Sequence, residues 1–337
     1  MAAPTATPGG SSPAPQDGTM LLLVTNFGAR QISWVDPARG VIAQVEVGAA
    51  PWGVATAGGR AYVSTAEGVA VVDMAARRRV ALVPYLAEVG SPGSGEYRAG
   101  GMGIALSPDG ARVYVGINLP GGNGRLEVLD TAQLRMVGSA TVGVRPFDVA
   151  VSRDGRVIYS IDHDSFSVTI VEAATLATRT VAIAPVGRDA YAKMHYGVIG
   201  PDDRLLLPIM GRALVHLAPA GDFTTTPLSA NTHQHGAALT PDGLRLLVVG
   251  TGPAGQATGG ASLTVLDLAS GAERILPLAR PHEKVAVSPD GRTAYLTGGY
   301  TLASGAWDGI TVIDLETGAT REVAVPGLPL DIVVVAN

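Results

Sequence analysis

The chain has 337 residues, a formal net charge of −5 and 47% hydrophobic residues, enough to bury a large core. It contains no cysteine, which excludes disulfides, thiolate catalysis and cysteine-ligated metal sites. It also lacks the basic face of a nucleic-acid-binding protein and any apolar run long enough to span a membrane.

Residues 1–19 are rich in Pro, Ala, Gly, Ser and Thr, a composition that cannot bury enough apolar surface to fold. We expect this segment to be disordered. It lacks the basic start and apolar stretch of a signal peptide, but spacers of this composition often follow an export signal that has been removed. We therefore expect a periplasmic or secreted protein, the alternative being a cytoplasmic protein with a flexible start.

From residue 20 onward the sequence repeats one pattern of short strands. Each repeat contains an apolar strand, a turn related to (S/T)PDG, and three further strands, with a spacing of about 40 to 50 residues. The turn is recognisable at residues 107–110, 152–155, 200–203, 240–243 and 288–291. A repeat of this length built only from strands predicts a radial array of four-stranded sheets, a β-propeller.

Alignment on the turn predicts seven first strands, which open near Trp52, Met102, Phe147, His195, His235, Glu283 and Leu330. The N-terminal segment supplies three strands without a first strand, and residues 330–336 form a first strand without successors. We predict that residues 330–336 pair with residues 20–26 in one composite blade, which closes the ring and removes its exposed edges. The predicted fold is all-β, a seven-bladed propeller of four-stranded antiparallel blades over residues 20–337.

The segments VTNFGARQISWVD and VGAAPWGVA resemble the YVTN repeat of the lactonase-like seven-bladed propellers. The resemblance covers residues 21–337 and implies the propeller fold. It implies function less closely, because this fold carries lactonases, lyases, dehydrogenase subunits and binding modules that have no catalytic activity.

The residues that open the first strands should ring one mouth of the central channel. Three consecutive repeats place His195, His235 and Glu283 there, and imidazole with carboxylate is a donor set typical of a divalent metal ion such as Zn, Fe, Mn or Mg. The other four repeats supply apolar side chains that we expect to bind substrate: Trp52, Met102, Phe147 and Leu330. The alternative is that each histidine is a neutral side chain bonded to water or backbone.

Further polar residues fall near the same mouth. We expect His163, at the end of a second strand, to be a fourth ligand or an acid–base group, with Lys193 and Tyr191 as further catalytic candidates and Arg145 as a substrate-binding cation. Neighbouring carboxylates at 162 and 164 are expected to orient the imidazoles. Adjacent strand residues point in opposite directions, so we expect Glu283 rather than His282 to face the channel.

These residues favour a metal-dependent hydrolase or lyase acting on a small carbonyl compound, a lactone or cyclic ester. The alternative is a non-catalytic exported propeller that binds a protein, peptide or surface polymer. The expected partner in the first case is a small-molecule substrate, without nucleic acid or a membrane span, and we expect a monomer.

Overall fold

Short apolar strands alternate with tight turns along the whole described chain. The computed structural model describes residues 20–93, 95, 97–183, 193–209, 211–232, 235–250, 260–299 and 305–336. Residues 1–19, expected to be disordered, lie outside this range, as do Tyr191 and His233. No helix in the described ranges is long and apolar enough to cross a bilayer.

The described residues form 28 strands and one short 3-10 helix, His163–Ser165. Strands of the first half are β1 (Met20–Asn26), β2 (Gln31–Asp36), β3 (Gly40–Glu46), β4 (Val54–Ala57), β5 (Arg60–Ser64), β6 (Gly68–Asp73), β7 (Arg78–Pro84), β8 (Gly100–Leu106), β9 (Arg112–Asn118), β10 (Arg125–Asp130), β11 (Arg135–Thr141), β12 (Pro146–Val151), β13 (Val157–Asp162), β14 (Ser167–Glu172) and β15 (Thr178–Ala182). Strands of the second half are β16 (Val198–Ile199), β17 (Leu205–Ile209), β18 (Ala213–Leu217), β19 (Phe223–Pro227), β20 (Ala237–Leu239), β21 (Arg245–Gly250), β22 (Ser262–Asp267), β23 (Glu273–Pro277), β24 (Val285–Val287), β25 (Thr293–Thr297), β26 (Gly309–Asp314), β27 (Thr320–Ala324) and β28 (Pro329–Ala336).

Seven four-stranded antiparallel sheets in a ring confirm the predicted β-propeller. Blades 1 to 6 each use four consecutive strands, from β4–β7 for blade 1 to β24–β27 for blade 6. Blade 7 has the order β28-β1-β2-β3, so the two ends of the described chain share one sheet. The register pairs Met20 with Ala336 and Leu23 with Val333, which confirms the predicted composite blade.

The recurring (S/T)PDG turn has a structural reason. In the first copy the hydroxyl of Ser107 donates to Asp109 Oδ1 at 2.6 Å, and the same oxygen accepts the Ala111 amide at 2.9 Å. Gly110 has φ +69°, a left-handed conformation that favours glycine. The hydroxyl–carboxylate pair recurs in three other blades, at residues 152 and 154, 240 and 242, and 288 and 290.

Apolar side chains fill the space between neighbouring blades. Leu23 and Trp34 of blade 7, for example, pack with Val63 and Val72 of blade 1 in one buried cluster. Since every blade has two neighbours in the ring, the core is a series of interfaces between sheets. This rigid frame holds the first strands, and with them the predicted mouth residues, at fixed positions around the channel.

Candidate functional site

The seven residues predicted to open the first strands all lie inside the molecule, none more than 8% exposed. Neighbouring first strands approach closely: the Gly236 amide of blade 5 donates to the Glu283 carbonyl of blade 6 at 2.7 Å. A Cβ at Gly236 would lie 2.7 Å from that carbonyl oxygen and from Lys284 Cα, so the glycine allows this approach. The backbone therefore places His235 and Glu283 side by side.

The structure brings His195, His235 and Glu283 together from blades 4, 5 and 6. One potential ligand atom from each residue lies within 4.8 Å of the others. His235 Nδ1 is 3.1 Å from Glu283 Oε2, and His195 Nδ1 is 3.7 Å from Glu283 Oε1. These three residues are called the His–Glu cluster below. As expected, Glu283 and not His282 takes part, because His282 turns within its own blade and bonds Thr311 Oγ1 at 2.7 Å.

The protonation states of Glu283 and His195 are those that a metal ion requires. Burial alone would raise the pKa of Glu283, but His235 and His195 outweigh it and lower that pKa to about 2. Burial lowers the pKa of His195 to about 3. At neutral pH the carboxylate is therefore ionised and the His195 imidazole is neutral, the forms in which both groups bind metals.

His195 has no hydrogen-bond partner for either ring nitrogen among the described residues, although both nitrogens are fully buried. Its ring stacks on that of Phe147, at a centroid distance of 3.8 Å and an interplanar angle of 10°. A buried polar group left without a partner costs roughly 1 to 3 kcal/mol. An ion bound beside Glu283 would satisfy one of these nitrogens, so the donor set fits a divalent metal.

His163 lies against the His–Glu cluster, with its ring centroid 4.7 Å from that of His195. Its Nδ1 is 2.7 Å from Asp164 Oδ1, and the other oxygen of Asp164 accepts from Arg145 at 2.5 Å. Burial alone would raise the pKa of Asp164, but the hydrogen bonds from His163 and Arg145 outweigh it and lower the pKa well below 3.8. Burial is also the main cause that lowers the pKa of His163. An ionised Asp164 can only accept, so a neutral His163 carries its proton on Nδ1 and its lone pair on Nε2.

Arg145 is placed differently from a free substrate-binding cation. Its guanidinium is 1% exposed, pairs with Asp164 and stacks on the Tyr97 ring at 3.4 Å from the centroid. In this arrangement Arg145 orients the His163–Asp164 pair. Its predicted contact with substrate stays a prediction, as does the catalytic role of Lys193, whose charge contributes to lowering the pKa of His163.

The four apolar residues that open first strands, Trp52, Met102, Phe147 and Leu330, belong to one packed cluster on their side of the channel. Trp52 meets Phe147 edge to face at 5.0 Å, and Met102 and Leu330 belong to the same buried cluster. All four are at most 2% exposed. Their role in substrate binding stays a prediction; what the structure shows is that they pack against one another and, through Phe147, against His195.

A second group of polar residues lies next to the ring, and its grouping was not predicted from the sequence. It contains Asp148, Tyr196, Lys284 and Asp331, and we call it the channel layer. Lys284 Nζ is 4.0 Å from Asp148 Oδ2 and 3.8 Å from Asp331 Oδ1. Each member immediately follows a ring residue in the sequence, so the signal was present in the same alignment, one position further along.

No family model matches the chain, and no curated protein matches it. Solved structures do match over nearly the whole length. The periplasmic gluconolactonase of Pseudomonas aeruginosa is 18% identical, with a TM-score of 0.66, covering 94% of this chain and 99% of that one. Hydrazine synthase of Kuenenia stuttgartiensis is 19% identical, with a TM-score of 0.62 and coverages of 92% and 94%.

A candidate 6-phosphogluconolactonase of Bacteroides uniformis is 14% identical, with a TM-score of 0.66 and coverages of 95% and 100%. At these identities the matches establish a shared fold. They include proteins named as lactonases and an enzyme with a different name, which agrees with the range of functions that this fold carries. Membership of the YVTN-repeat family stays a prediction.

Proposed function

We propose that the chain is a metal-dependent hydrolase that opens a lactone or another cyclic ester at the His–Glu cluster. The observation that carries the proposal concerns His195. Its two buried ring nitrogens make no hydrogen bond to the described residues, and its ring lies beside an ionised carboxylate and a second imidazole. Two structural neighbours named as lactonases support the choice of substrate class.

His195, His235 and Glu283 would hold the ion, which we expect to be Zn, Fe, Mn or Mg. Such an ion supplies a Lewis acid for the ester carbonyl. The two imidazoles and the carboxylate come from three successive blades of a rigid ring, so they keep their spacing without a mobile loop. Burial of the cluster excludes bulk water, which strengthens each electrostatic interaction within it.

His163 is the acid–base group of this proposal. Asp164 fixes the proton on Nδ1, so Nε2 takes a proton from water as the water oxygen bonds to the carbonyl carbon. The carbon–oxygen bond of the ring then breaks, and His163 returns the proton to the departing alkoxide. The product is a hydroxycarboxylic acid, whose carboxyl group then releases a proton to the solvent at neutral pH, and His163 ends in its starting state. Arg145 keeps Asp164 ionised throughout.

Metal binding tests the proposal directly. Purified protein, stripped with chelator, should bind a single equivalent of Zn²⁺ or Mn²⁺ in calorimetric titration, and Glu283→Gln should weaken this binding by at least about 100-fold because a charged ligand is lost. Glu127→Gln is the matched control, since Glu127 is also fully buried but accepts the amides of Leu86 and Ala87 in another part of the ring.

Activity gives the second half of the test. Acid release from a panel of lactones should stop with chelator and return with added metal, and it should be lost in Glu283→Gln but kept in Glu127→Gln. Equal metal binding by both variants would contradict the proposed ligand set. A rate of hydrolysis that is unchanged by the chelator would contradict the metal dependence.

A second candidate is a non-catalytic exported propeller that binds a protein, peptide or surface polymer. Burial of the entire first-strand ring favours it, because the apolar half offers almost no surface to a ligand. This candidate predicts neither stoichiometric metal binding nor chelator-sensitive hydrolysis, so the same two measurements separate the functions.

A further inference from the structure

Tyr196 connects the channel layer to the His–Glu cluster. It follows His195 in blade 4, and its hydroxyl reaches across to Glu283 Oε1 of blade 6 at 2.9 Å. Tyr196 and Glu283 are each 2% exposed. A buried hydrogen bond between blades that are not adjacent spans the channel, and nothing in the ring alignment requires it.

Because of this bond, the two oxygens of the Glu283 carboxylate have different partners. Oε1 accepts a hydrogen bond from Tyr196 at 2.9 Å and lies at the longer distance of 3.7 Å from His195 Nδ1, whereas Oε2 lies 3.1 Å from His235 Nδ1. A carboxylate with both oxygens engaged on different sides has little freedom to rotate. Its side-chain orientation is therefore set by Tyr196 as well as by the histidines.

Tyr196 is held as a hydrogen-bond donor. A phenol carries its proton at neutral pH and a carboxylate oxygen can only accept, so the Tyr196 hydroxyl is the donor in this bond. The Lys284 ammonium lies 4.0 Å from the centre of the Tyr196 ring, a cation–π contact. Two carboxylates lie beside this ammonium, Asp331 at 3.8 Å and Asp148 at 4.0 Å, and favour its charged form.

We infer that Tyr196 is a positioning residue that reserves Oε1 of Glu283 for itself and so makes the carboxylate a one-oxygen ligand of the metal. The inference rests on the proposed function. Tyr196 does not touch the reacting atoms; it acts through Glu283, and the channel layer acts through Tyr196. Without the hydroxyl, Glu283 is free to turn and to offer both oxygens to the ion.

Cobalt(II) is the probe, because its visible absorption weakens when a four-coordinate site gains a ligand. Wild-type protein and Tyr196→Phe are each titrated with Co²⁺, and the titration gives the dissociation constant and the visible spectrum of each. We expect the variant to show a weaker visible band and binding reduced by about 10- to 100-fold, the usual effect of losing a group that orients a ligand.

Tyr85→Phe is the matched control, since its hydroxyl donates to the carbonyls of Thr65 and Gly68 away from the cluster. A purely structural role of Tyr196 would lower the melting temperature but leave the spectrum unchanged. If the spectrum and the Co²⁺ affinity of Tyr196→Phe equal those of the wild type, the inference is overturned and the proposed function is not. Wild-type protein that takes up no Co²⁺ overturns the proposed function and the inference with it. Should Tyr196→Phe not fold, Lys284→Gln is used instead, because it removes the cation from the face of the Tyr196 ring. We expect it to weaken the visible band as well, and a band as strong as that of the wild type overturns the inference.

Discussion

A carboxylate taken out of water ionises readily only when its neighbours favour the charge, and two residues near the channel differ in this respect. Glu283 sits between His235 and His195, which hold its pKa at about 2. Asp148 is also buried, and burial raises its pKa to about 6. The charge of Lys284 offsets only part of this rise, and the charge of Asp331 adds to it. Glu283 is thus prepared to act as an anion, whereas Asp148 changes charge close to the physiological range.

Asp148 should therefore leave a signature in the pH dependence of stability. The folded protein keeps this proton up to a pH of about 6, whereas the unfolded chain loses it near 3.8. Between these values the folded state binds more protons, so its stability falls as the pH rises. Asn does not titrate, so the free energy of unfolding of Asp148→Asn relative to wild type should rise by about 2 kcal/mol between pH 4 and pH 7.

Urea unfolding of the two proteins at pH 4, 5, 6 and 7 measures this difference. Asp222→Asn, at an exposed position, is the control and should show a constant difference across the series. A difference for Asp148→Asn that falls with pH would mean that the ion pair with Lys284 outweighs the burial.

The first strand is the element that decides how tightly the ring closes around its channel. Residues in the ring layer are large. Of the residues that immediately follow them in the sequence, four are charged or aromatic and three are glycines: Gly53, Gly103 and Gly236. The glycines occur where a neighbouring first strand approaches. At Gly103 of β8, a Cβ would lie 2.2 Å from Asp148 Cα of β12. Because that contact is with backbone, it cannot be relieved by a side-chain rotation.

Gly103→Ala should consequently be strongly destabilising. Separating β8 from β12 disturbs the packing of blades 2 and 3, and overpacking against backbone should lower the free energy of unfolding by at least about 3 kcal/mol. Gly122→Ala is the control, because nothing lies within 4 Å of its Cβ position. That change should stay within about 1 kcal/mol of wild type. Denaturant unfolding measures both, and equal stability of the two variants would contradict the close approach of β8 and β12.

At the scale of the whole molecule, the sequence was sufficient for the blades because a related turn recurs between the first and second strands of five of them. These turns are spaced by about 40 to 50 residues, and aligning the chain on them predicts the strand order and the residues at the channel mouth. The Tyr196–Glu283 bond was out of reach, since it joins residues 87 positions apart through side-chain rotamers that no repeat specifies. The packing of Trp52 against Phe147 was missed for the same reason.

Ring closure through the composite blade gives the last prediction. Strand β28 pairs with β1 from Met20 to Asn26 and places Leu330, Ile332 and Val335 in the core. Burial of each such side chain stabilises the fold by about 1.5 to 3 kcal/mol. Deleting residues 329–337 therefore removes roughly 5 to 9 kcal/mol, comparable to the whole stability of a typical domain. It also exposes the edge of β1 to aggregation.

We expect the shortened chain to lose the cooperative melting transition of the full chain, as measured by circular dichroism and calorimetry. A synthetic peptide of residues 327–337, added in excess, should restore at least part of it by replacing β28 against β1. Deletion of residues 1–19 is the control for shortening the chain and should leave the transition in place, because that composition has too little apolar surface to contribute to a core. A chain without residues 329–337 that melts like the full one would show that six blades and the remainder of the seventh hold the ring without closure.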